Sequence, residues 1–151
     1  MASTLVKLYV HIIFHVKTTG MTMLDEDLPH IFSYMGGIIK NLEGIPLEIG
    51  GTCDHVHILS SIPKTMSVAD FARSIKNNSS KWIHARNVCY QRFEWQSGYG
   101  AFSVSSSQLG KTANYIRHQA DHHNKHTFME EYKAFLNAYE IEYDEQYAFA
   151  D

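Results

Sequence analysis

Residues 53–61, CDHVHILSS, constrain the chain more than any other stretch. Strand side chains alternate, so His55 and His57 point to one face while Val56 and Ile58 point to the other. The segment reads as a buried strand carrying two imidazoles on one side. Neutral imidazoles set side by side are a start for a divalent metal site. The same spacing also fits two partly exposed histidines hydrogen-bonded on a sheet surface. What else reaches that face decides between the two.

The rest of the chain predicts a setting for this strand. Residues 5–17, LVKLYVHIIFHVK, are β-branched and aromatic and read as a first strand. DEDLPHIFSYMGGIIKNLEG predicts a helix with acids in its first turns and Gly44 as its stop. IPLEIGG and DHVHILSSI, joined around Gly50–Gly51, form an expected antiparallel pair that Pro63 ends. TMSVADFARSIKNNSSKWIHARN is amphipathic, with Ser67 as N-cap and Val68, Phe71, Ile75 and Trp82 on its buried face. FEWQSGYGAFSVS reads as a Gly-interrupted strand, and SSQLGKTANYIRHQADHHNKH as a further helix. A short helix and an acidic, aromatic tail follow. This order predicts an α+β chain of ferredoxin-like βαββαβ type, in one domain over residues 1–151. A four-stranded antiparallel sheet would carry helices on one face, with a C-terminal tyrosine-bearing helix besides.

Length and composition narrow the function. The 151 residues are 44% apolar, enough for one real core, and no apolar run approaches a bilayer span. The N-terminus lacks the basic region and cleavage site of a signal peptide, so a cytoplasmic location is expected. Cys53 and Cys89 are expected to be reduced core thiols rather than a disulfide. A net charge of −3 does not advertise nucleic-acid binding, but the acids gather near the ends and residues 60–125 are net basic.

A metal site needs more than two ligands, and NYIRHQADHH offers them. Tyr115 and Gln119 are four residues apart and share a helical face. Gln119 brings an amide oxygen. Tyr115 brings a phenol able to attack phosphorus and hold a covalent phosphodiester, unless it is simply a core residue. Lys111, one turn earlier, would favour a phenolate or a phosphate if it pointed the same way. His118, His122 and His126 form a rival zinc pattern, for which a solvated helix end is the plainer account.

With His55-Val56-His57 upstream and Tyr115 and Gln119 downstream, the sequence resembles the small single-tyrosine transposases of the insertion sequence 200-like type, within the His-hydrophobe-His (HUH) endonuclease superfamily. The resemblance runs from about Lys7 to Phe149 and includes FSYMGGIIKN, GIPLEIGG, WQSGYGAFSVS and YEIEYDEQYAF. Many relatives carry YI-x-NQ-E where His118 and Ala120 flank Gln119 here. The resemblance implies a catalytic Tyr115 and a divalent metal, Mg²⁺ with Mn²⁺ able to substitute, on His55, His57 and Gln119. It implies cleavage and rejoining of hairpin-forming single-stranded DNA through a 5′-phosphotyrosine. It further implies a homodimer in which the tyrosine helix of one subunit completes the site of the other.

For DNA contact the segment FARSIKNNSSKWIHAR offers Arg73, Lys76, Lys81 and Arg86, which equally suit a solvated helix face. Three other readings stand beside the transposase. They are a domesticated relative acting on host hairpins, a non-catalytic DNA-binding dimer, and a zinc or small-molecule binder.

Overall fold

The computed structural model describes residues 2–18, 20–119 and 127–150. Four strands form in it: β1 (Tyr9–His15), β2 (Pro46–Thr52), β3 (His55–Ser61) and β4 (Gly100–Ser103). The helices are α1 (Leu28–Asn41), α2 (Val68–Arg86), α3 (Leu109–Arg117), α4 (Phe128–Ala138) and the short α5 (Glu145–Ala148). The sheet order is β2-β3-β1-β4, and every paired neighbour is antiparallel. This is the split βαββαβ arrangement expected from the sequence.

The elements differ from their predicted extents for local reasons. β1 is shorter than 5–17 because Tyr9 already pairs with Ser61, the last residue of β3, which leaves Leu5 and Leu8 exposed. At its other end Val16 adds a single bridge to Trp95. That bridge is all the strand structure in 93–99, so the Gly-interrupted strand reduces to Gly100–Ser103. α1 follows a 3-10 turn at Asp25–Asp27. The left-handed residue past its end is Glu43, with φ of 70°, one position before the expected Gly44. Ser67 caps α2 as predicted, accepting from the Asp70 N–H at 3.0 Å. On that helix Phe71 and Ile75 are fully buried, while Val68 and Trp82 are only partly covered. Cys53 and Cys89 are unpaired, and Cys89 is exposed rather than part of the core.

The period of two divides the sheet into two unlike faces. Val10, Ile12, Phe14, Val56 and Ile58 enter a core with Ile31, Met35 and Ile39 of α1 and Phe71 and Ile75 of α2. Each such side chain stabilises by about 1.5–3 kcal/mol on full burial. The opposite face carries His11, Ile13, His15, His55 and His57, and is covered by α3 and α4. Two glycines let these helices approach. A Cβ on Gly50 of β2 would lie 2.6 Å from the Ile116 carbonyl oxygen of α3. One on Gly100 of β4 would lie 2.7 Å from the Tyr132 ring of α4.

Candidate active site

His55 and His57 are both 0% exposed, and their rings enter the space between the sheet and helices α3 and α4. Each is held from behind. The Nδ1 of His55 lies 2.8 Å from Asp54 Oδ1 and 2.9 Å from Thr52 Oγ1, on the β2–β3 turn. The Nδ1 of His57 lies 2.8 Å from Nε2 of His11, on the neighbouring strand. These contacts turn both Nε2 atoms the same way, as holding bonds on metal-ligating imidazoles do.

Oxygen atoms meet those nitrogens. Gln119, two residues past the end of α3, sets Oε1 3.0 Å from Nε2 of His55. Glu131 of α4 sets Oε1 2.8 Å from Nε2 of His57 and 3.7 Å from Nε2 of His55. Its second oxygen accepts from the Tyr115 hydroxyl and from Gln119 Nε2, the latter at 3.3 Å. One carboxylate thus joins the imidazole pair to the phenol. Phe128 at 4.5 Å from the His55 ring, and Phe135 at 5.0 Å from the His11 ring, wall the group with hydrocarbon.

The contacts around His55 leave room for a cation at its inner nitrogen. His55 faces an acceptor at each nitrogen, Asp54 on one side and Gln119 on the other. A neutral imidazole has one N–H and can satisfy only one of them. With Nδ1–H donating to Asp54, Nε2 would be left with a lone pair able to take a metal ion. His55, His57 and Glu131 place ligand atoms within 4.8 Å of one another, a spacing that one divalent ion can span. With the Gln119 oxygen the donor set is two imidazole nitrogens and two oxygens, which suits such an ion.

The surroundings shift the acids and bases in the group. Burial, then the neighbouring His57, lowers the His11 imidazole to about 3, so His11 is neutral. Burial pushes the Glu131 carboxyl up, but bonding to His57, with Tyr115 and His55 nearby, outweighs it and keeps the group ionised. Burial and the hydrogen bond to Glu131 raise the Tyr115 phenol above its ordinary value, so it rests protonated.

The fold therefore gathers His55, His57, Gln119 and Tyr115 around one point. Lys111 shares a cleft wall with Tyr115. The proposed DNA-contact residues lie elsewhere, on α2. Lys76 donates to the carbonyls of Gln96 at 2.6 Å and Gly98 at 2.9 Å, and burial lowers its amine to about 8. Arg73 pairs with Asp70 on the surface, and Lys81 is exposed. Arg73 and Lys76 line a hollow of about 460 Å³ with Lys17. His118 is exposed, with Nδ1 2.8 Å from the Asn114 carbonyl, while His122 and His126 lie outside the described residues.

Sequence reasoning missed Glu131 and His11. For Glu131 the available signal was an acid on the apolar stripe of Phe128, Tyr132, Phe135 and Leu136. For His11 it was the register. His11, Ile13 and His15 alternate onto the face that β3 uses for its own histidines.

Comparison with known proteins bears on the family and the fold. The family described as Transposase IS200 like matches residues 4–119. No curated protein matches the chain. Among solved structures, a candidate transposase from Deinococcus radiodurans R1 superposes with a TM-score of 0.59 at 19% identity, covering 79% of this chain and 95% of that one. A REP-associated tyrosine transposase bound to a REP hairpin also superposes at 0.59, with 10% identity, covering 82% of this chain and 73% of the other. At these identities both likenesses speak to the fold.

Proposed function

The chain belongs to the IS200-like transposase family, and from that premise we propose that it cuts and rejoins single-stranded DNA through a covalent bond to Tyr115. The observation that carries the reading is the shared carboxylate: Glu131 touches both the Tyr115 hydroxyl and the His57 imidazole. The substrate class is a hairpin-forming DNA strand, the kind of DNA to which the REP-associated relative is bound.

His55, His57 and Gln119, joined by Glu131, are the residues that would hold a divalent ion, Mg²⁺ or Mn²⁺. Such an ion supplies Lewis-acid stabilisation of charge on the phosphate oxygens. The rest falls to the protein's own groups. Tyr115 Oη attacks phosphorus, the bond from phosphorus to the 3′ oxygen breaks to leave a 5′-phosphotyrosine, and the departing 3′ oxygen takes a proton from solvent to become a free 3′-OH. The phenol proton passes to Glu131 Oε2, its hydrogen-bond acceptor. A second 3′-OH then attacks the phosphotyrosine and gives its proton to solvent, and the bond from phosphorus to Tyr115 Oη breaks as the phenolate recovers the proton held by Glu131. His11, Thr52 and Asp54 keep the imidazoles in orientation. Phe128 and Phe135 keep water from hydrolysing the intermediate. Arg73 and Lys81, exposed on α2, suit backbone contact away from the reacting phosphate.

All these groups come from one polypeptide, so the reading needs no exchange of the tyrosine helix between two copies. Incubating the protein with Mn²⁺ and a hairpin strand labelled at its 3′ end tests both points. The labelled strand should migrate with the protein on a denaturing gel, and Tyr115→Phe should give no such band. Mixing Tyr115→Phe with His57→Ala should leave it absent. A band from Tyr115→Phe alone would overturn the assignment of the nucleophile, and a band from the mixture would show a site shared between copies.

A further inference from the structure

A cleft of about 480 Å³ opens beside Tyr115, between the start of α3 and the end of α4. Its two sides differ chemically. Gln108, Lys111 and Thr112 line the α3 side and fall on one helical stripe with Tyr115. Phe135 and Tyr139 line the α4 side. The Tyr139 hydroxyl donates to the Ser103 carbonyl at 2.9 Å, which fixes its ring, yet the residue stays 42% exposed. The side chains of Gln108, Lys111 and Thr112 make no hydrogen bond or ion pair among the described residues. A cation and an amide without partners therefore face an aromatic wall across a space in the size range of ligand sites. Positive charge and aromatic surface are the two features that single-strand binding sites combine, and polar side chains can bond the edges of splayed bases.

We propose that this cleft takes one unstacked nucleotide of the substrate strand, the one adjoining the phosphate that Tyr115 attacks. Its base lies against Phe135 and Tyr139, its outer phosphate meets Lys111, and its base edge bonds with Gln108 and Thr112. The occupant must be part of the strand because the cleft shares Tyr115 as a wall with the reacting group. An aliphatic peptide would leave the ammonium unanswered, and a folded duplex would not unstack a base to fill the slot. The inference rests on the transposase reading for its substrate, but its test is separable from that reading.

The experiment uses the full chain carrying Tyr115→Phe and a panel of single-stranded oligonucleotides with 2-aminopurine placed at successive positions. One position should be strongly quenched on binding. Tyr139→Ala should release that quench while Tyr139→Phe retains it. Lys111→Ala should lower the slope of log affinity against log salt by about 0.7, the share of one phosphate on a single strand, and Lys111→Arg should restore it. Gln108→Ala should flatten a base preference of roughly tenfold at the quenched position. Oligonucleotides that bind with no quenched position, or with the same quench and salt slope in Tyr139→Ala and Lys111→Ala, would overturn the inference. Covalent adduct formation by the unsubstituted chain is scored separately. An adduct without a quenched position keeps the transposase reading and removes the cleft. A quenched position without an adduct does the reverse, and a protein that binds no strand removes both.

Discussion

On β3, Val56 and Ile58 turn into hydrocarbon while His55 and His57, each one residue away, turn into a ring of nitrogen and oxygen atoms. The same contrast holds on β1, where Ile12 and Phe14 alternate with His11 and His15. Both faces are buried, but for different ends. Toward α1 and α2, removal of water stabilises the fold roughly in proportion to the apolar area covered. Toward α3 and α4, it costs stability, because buried polar groups must find partners there. What that cost provides is a set of groups already aimed at one point, whose interactions are strengthened by burial. A short strand can serve both ends only because its period is two.

That contrast can be broken by substitution, beginning with the largest expected effect. Glu131→Gln keeps the shape but removes the proton acceptor of Tyr115, so adduct formation should slow by about 10²–10⁴-fold. The urea midpoint should also fall, because His57 loses a charged partner, so the rate is scored per folded molecule. A large loss of stability with unchanged rate would make Glu131 a structural residue. On the other face, Ile58→Ala should lower stability by about 2–5 kcal/mol in urea titration, with the adduct rate per folded molecule unchanged. Equal damage to both would show that the two faces are not independent.

Gly50→Ala sharpens the comparison because it lies where the faces communicate. The added methyl meets the Ile116 carbonyl, so α3 must shift. We expect a loss of about 1–3 kcal/mol in thermal or urea unfolding, and a slower adduct rate because Tyr115 moves with the helix. An unchanged rate would mean that α3 adjusts without disturbing its phenol.

The smallest effect concerns a polar pair on the hydrocarbon side. The hydroxyl of Tyr90 donates to Asp27, and this bond, against opposing burial and with help from Arg86, holds the carboxyl below its usual range. Burial and Asp27 raise the Tyr90 phenol to about 12. The depressed carboxyl contributes stability above its unfolded value near 3.8, lost as pH falls through the folded one. The raised phenol contributes stability below about 10, lost as pH rises through about 12. Melting temperature followed from acid to alkaline pH should therefore fall at both ends. Tyr90→Phe should shrink the fall at both ends, because Tyr115 and Tyr132, also raised by burial, still contribute at the alkaline one. An unchanged profile would show that the pair is too well solvated to matter.

Much of this was legible in residue order, and the gaps have physical reasons. The sheet, the Ser67 cap and the facing of His55 and His57 follow from short-range geometry, and all stand in the structure. The extents of β1 and β4 were overestimated because a strand stops where its neighbour stops, which no local pattern records. Lys76 shows what spacing alone leaves open. A lysine on a helix flank suggests a phosphate contact, but this one is taken up by the carbonyls of Gln96 and Gly98.

By itself the sequence determined which residues share a face, because strand and helix periods are properties of the backbone a few residues long. It thereby fixed the two imidazoles on one side of β3 and the amphipathic stripes of the helices. Only the tertiary structure decided that Glu131 arrives 74 positions after His57 to touch it, and that His11 backs the same ring from β1. Those meetings depend on how α4 seats over Gly100 and how β1 registers on β3. Packing of distant segments sets them, and no spacing within the chain encodes it.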